Sequence, residues 1–77
     1  MVVLKRRLQT LKKFVKDKGE LVRSAAYIGF CEIGVEEHWE TIRIGFSDKS
    51  AGVRHTVIYA VSGSSYKPAI DHVVAVF

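Results

Sequence analysis

The chain has 77 residues, a net charge of +4 and a single cysteine, Cys31. That length suits one domain over residues 1–77 and excludes two, and a lone cysteine excludes an internal disulfide. No apolar run approaches the roughly 20 residues that cross a bilayer, so no membrane span is expected.

A hydrophobic content of 48% and a charged content of 26% lie within the globular range. A core this small is marginal and is often completed by a metal, a disulfide or a second subunit. The opening residues turn basic after Met1-Val2-Val3-Leu4, with no long apolar stretch of an export signal. With the free thiol, this favours a reducing, cytoplasmic location.

The opening segment reads as a helix over residues 3–18. Leu4, Leu8, Leu11 and Val15 share one face, Phe14 widens it, and Gly19 follows as a stop signal. Seven of the twelve Lys and Arg residues fall in residues 1–18 against one acid, Asp17, giving that segment +6 and the remainder −2. With the leucines inward, Lys5, Arg6, Lys12, Lys13 and Lys16 face outward along about 17 Å of helix, at 1.5 Å per residue. Cations so placed suit an anionic polymer, because each neutralised phosphate releases counterions.

The next segments read as strands. Residues 25–33 carry aromatic and branched side chains between glycines, although Leu21, Ala25 and Ile28 also fit a helical stripe. Glu32, Glu36, Glu37 and Glu40 form an acidic cluster, read as a solvated turn or as a counterpart of the basic helix. Residues 39–47 alternate, with Ile42, Ile44 and Phe46 on one face. Residues 47–52 signal a turn, and Val53 to Val61 resume a branched and aromatic run, so the pair reads as an antiparallel hairpin. From Pro68 to Phe77 the chain suits either a helix opened by proline or, on its β-branched content, a last strand. No internal repeat stands out.

The expected architecture is α+β: an N-terminal amphipathic helix packed on a three- to four-stranded antiparallel sheet, in the order α-β-β-β-β, the last element alternatively helical. Val73, Val74, Val76 and Phe77 at a sheet edge would let a second copy pair as a homodimer.

Chemistry-bearing constellations are sparse. Phe30, Phe46 and Tyr59 read as core, and Trp39 and Tyr66, in or near loops, as binding contacts. His38, His55 and His72 lie too far apart in sequence for metal-ligand spacing, and Cys31 in an apolar run reads as core. No catalytic residue, metal or cofactor is therefore assigned.

The order helix, three strands, loop and tail, with Tyr27, Gly34, His38 and the Ile42/Ile44 segment, loosely resembles the double-stranded-RNA-binding domain. Val35 stands where that family has proline, and Tyr66-Lys67-Pro68-Ala69 lacks its run of lysines. Arg54 to Phe77 is similar to the terminal strands of ribosome-dependent mRNA-interferase toxins, which carry more helix before the sheet. Neither family is assigned. The expected function is that of a small, non-enzymatic regulatory binding protein whose basic helix docks on an anionic surface, foremost nucleic acid. The alternative is an inhibitor or adaptor that masks a partner protein.

Overall fold

A computed structural model describes residues 2–76, with side chains from Arg6 to Ala75. The chain forms α1 (Val2–Phe14), α2 (Glu20–Gly34), α3 (Trp39–Ile42), which runs into a 3-10 turn (Arg43–Ser47), α4 (Ala51–Ser62) and α5 (Lys67–Val76). There is no strand among the described residues. The α+β architecture is thereby overturned, and with it the strands over 25–33, 39–47 and 53–61, the hairpin and the sheet. The helical alternative for the last segment is the one that forms. The likenesses to double-stranded-RNA-binding domains and interferase toxins, which need a sheet, fall with it.

The physical reason lies in the spacing of buried residues. In α4, Val53, Val57 and Val61 are fully buried at steps of four, while His55 and Tyr59 between them face solvent. A strand would have put all five on one face; a helix separates them by half a turn. Likewise Ile42 and Phe46 are buried and Ile44 is 62% exposed. In α2 the inward stripe is Arg23, Ala26, Tyr27 and Phe30, a helical i, i+3, i+4, i+7 series. Leu21, Ala25 and Ile28 form the outer face.

α1 ends at Phe14, earlier than expected, and tightens through i to i−3 bonds as Lys16 N–H and Asp17 N–H donate to the Lys13 and Phe14 carbonyls. Gly19 does not close it in a left-handed conformation. Its φ of −79° and ψ of 124° make it the extended residue that opens α2.

The core joins Tyr27 and Phe30 of α2, Ile42 and Phe46, the three α4 valines and Ala69 of α5, with Leu8, Leu11 and Val15 packed against it. α2 and α4 form the most extensive helix pair, flanked by α1 on one side and by the 3-10 turn and α5 on the other. Contacts run mainly between consecutive units in a slab of 37 × 27 × 16 Å. No helix among the described residues is long and apolar enough to cross a membrane. The edge strand proposed for homodimer pairing does not exist. Val73 is half-buried against the core and Val74 is exposed on α5, while the Val76 side chain and Phe77 lie outside the described residues.

Candidate functional site

The structure exposes a repeat that the linear reading missed. Asp17-Lys18-Gly19 to Val22-Arg23 and Asp48-Lys49-Ser50 to Val53-Arg54 match in register at aspartate, lysine, valine and arginine, 31 residues apart. Each copy builds the same turn into a helix. Gly19 N–H donates to Asp17 Oδ2 at 2.8 Å, and Ser50 N–H to Asp48 Oδ1 at 2.9 Å. Gly19 and Ser50 are extended, with ψ of 124° and 126°, and their carbonyls accept the Arg23 and Arg54 N–H groups at 3.1 Å. Ser50 Oγ also accepts from Val53 N–H, a serine N-cap. Arg23 Nη1 donates to the Asp17 carbonyl, and Arg54 Nη1 to the Asp48 carbonyl.

Between the two copies lies a buried ion pair. Arg23 Nε and Nη2 donate to Asp48 Oδ2 and Oδ1 at 2.9 and 3.0 Å, a two-pronged contact with both side chains under 10% exposed. The Arg23 hydrogen bonds hold the Asp48 carboxyl below its ordinary value against the opposing effect of burial, and the Ser50 N–H adds to the lowering. Arg23 is shifted upward, chiefly by its bonds to Asp48. This pair joins one helical unit to the next.

The basic face of α1 is built by charge segregation. Leu8, Leu11 and Val15 pack inward, while Arg6, Lys12, Lys13 and Lys16 are exposed. Lys5 belongs to the helix, but its side chain lies outside the described residues. Arg7 and Lys18 are exposed as well. Among the described residues, none of Arg6, Arg7, Lys12, Lys13, Lys16 and Lys18 lies within ion-pair distance of a carboxylate; the pairs formed are Arg23–Asp48, Arg43–Glu40 and Lys67–Asp71. Arg6, Arg7 and Thr10 line an open groove between α1 and α2, with Gly29 and Glu32 on its far wall. Of the acidic cluster, Glu32 shares this groove with Arg6 and Arg7 without forming an ion pair, and Glu36, Glu37 and Glu40 are exposed at turn and helical positions.

Trp39 and Tyr66 come together, with ring centroids 6.2 Å apart edge to face. Trp39 also meets Phe46 at 5.9 Å and His72 at 5.6 Å. Both rings are half-buried and pack the start of α5 against α3. Phe30 and Phe46 are core as expected, whereas Tyr59 is 84% exposed. It stands with Ile28, Cys31 and His55 beside a groove between the outer faces of α2 and α4.

Burial pushes the Cys31 thiol up to about 11, and Glu32 adds to it, which keeps the sulfur protonated and unreactive at neutral pH. No group of three or more metal-ligating side chains assembles among the described residues. Comparison of the chain with protein-family models, curated proteins and solved structures finds no match.

Proposed function

We propose that the protein is a non-enzymatic binding module that docks the outward face of α1 on a polyanion, foremost nucleic acid. One observation carries this reading: Arg6, Lys12, Lys13 and Lys16 stand exposed opposite the inward leucines, and no carboxylate pairs with them among the described residues. Cations left free of internal partners keep their full attraction for phosphates. A reducing cytosol suits both this partner and the free thiol.

The test is fluorescence anisotropy with a labelled duplex DNA across a salt series. With about three to five phosphates neutralised, log affinity falls against log salt with a slope of about −3 to −4.5. Replacing Lys12, Lys13 and Lys16 with Glu abolishes binding while helical circular dichroism is retained. Absence of binding in the unaltered protein at low salt overturns the reading.

A second reading has its own support. Leu21 and Tyr59 are 80% and 84% exposed, and with Ile28 they give the outer faces of α2 and α4 an apolar surface of the kind that protein partners cover. Binding of a protein that survives the α1 charge reversal but is lost with Tyr59→Ser selects this alternative.

A further inference from the structure

Two rows of side chains run side by side along the edge of α1 that faces α2. Arg6, Thr10 and Lys13, at steps of four and three, form the outer row, and Arg7, Leu11 and Phe14 form the inner one. The rows differ in chemistry. With Gln9, the outer row borders a polar hollow, and its two cations are about 10.5 Å apart along the axis, at 1.5 Å per residue. The inner row opens on the groove between α1 and α2, where Leu11, Gly29 and Ile33 form an apolar trough. Gly29 has no side chain to fill it, and a Cβ there would already stand 2.8 Å from Leu11 Cδ2. Phe14, one turn on from Leu11 and on the same side of α1 as Arg7, is 39% exposed and stands outside the core.

We propose that the polyanion bound by α1 is a single-stranded nucleic acid, with its phosphates on the outer row and its bases turned into the trough and onto Phe14. The inference rests on the reading of α1 as the polyanion-docking helix and adds what charge alone leaves open, the strandedness. Cations attract any phosphate chain. An exposed ring and an apolar trough directly beside them suit a strand whose base faces are free, and add nothing for a duplex, whose faces are already stacked. The Arg7 guanidinium plane in the inner row offers a second stacking surface. Glu32 on the far wall disfavours a phosphate there, which keeps the backbone to the α1 side and the bases inward.

The test is anisotropy at low salt with the full chain and a labelled strand of about ten nucleotides, as DNA and as RNA, and the corresponding DNA duplex. Inorganic polyphosphate of the same phosphate number serves as unlabelled competitor. The single strand is expected to bind at least roughly fivefold tighter than the duplex, although the duplex carries more phosphates. A strand of either sugar supports the proposal, and the tighter one names the source. Phe14→Ala weakens the single strand by about fivefold or more and leaves the duplex unchanged, while Phe14→Tyr keeps the affinity and guards against a folding defect. Equal or tighter binding of the duplex, polyphosphate as effective a competitor as unlabelled strand, or affinity unchanged by Phe14→Ala overturns the inference and leaves α1 as a docking face for charge alone. Phosphatidylserine vesicles that take up the protein while the single strand fails would place a lipid in the trough and overturn it as well. Binding of neither strand nor duplex is the failure of the docking face itself, and the inference falls with it.

Discussion

Gly45 and Gly29 look alike in the sequence and differ in what surrounds them. A Cβ on Gly45 would stand 2.6 Å from Val57 Cγ2 and 3.2 Å from two ring carbons of Tyr27, all held in the core. A Cβ on Gly29 would meet Leu11 Cδ2 at 2.8 Å, but that is the end of a flexible side chain at the rim of the groove. Gly45→Ala therefore costs about 1–3 kcal/mol through overpacking. Gly29→Ala stays within about 1 kcal/mol of neutral, because helix propensity offsets the shift of Leu11. Urea denaturation of the two variants checks this ranking. At the buried pair, the native Asp48 carboxyl is held below its ordinary 3.8 by Arg23, so the unfolded chain binds that proton more readily. The stabilisation is complete above the ordinary aspartate range and is lost as pH falls through the lower native value. Asp48→Asn should lower the melting temperature by about 10 °C at pH 7, with the gap to the unaltered protein closing in acid. Equal melting temperatures for the two proteins at pH 7 would remove the pair from any role in stability.

At the scale of elements, the first helix was legible, the last was one of two readings, and those between them read as strands. In α1 the apolar residues recur at steps of three and four and cations fill the opposite side, a pattern that only a helix satisfies. In α4, valines at every fourth position satisfy a period of two as well, and branched side chains weight the reading toward strand; burial of alternate members decides it. The α2 stripe was hidden because it begins at a charged residue, Arg23, whose partner lies 25 positions away. The candidate site divides in the same manner. The basic face could be read from local spacing, whereas the arginine–aspartate junction needed the two seven-residue turns to be aligned with each other. The helical assignment predicts unequal effects along one apparent alternation. Ile42→Ala loses about 2–5 kcal/mol, while Ile44→Ser, on the exposed side, stays within about 0.5 kcal/mol. Chemical denaturation showing similar losses for both would contradict the assigned helical faces.

Over the whole molecule, charge and connectivity are arranged along different directions. The cations collect on α1, and the bonding of the repeat runs from α2 to the turn before α4. Most contacts join neighbouring helices, so little chain must be closed into loops before native interactions form, a topology that folds in microseconds to milliseconds. α2 and α4 share one core, and the interface between them is the most extensive in the molecule. The Arg23–Asp48 bridge carries the specific polar part of that interface. Cutting it with Asp48→Asn should lower the single unfolding transition and speed the exchange of amide hydrogens at both ends of the bridge, in the first turns of α2 and α4, relative to the unaltered protein. The bridge thus ties together, across 25 residues of sequence, the starts of two helices whose inward faces already share one core.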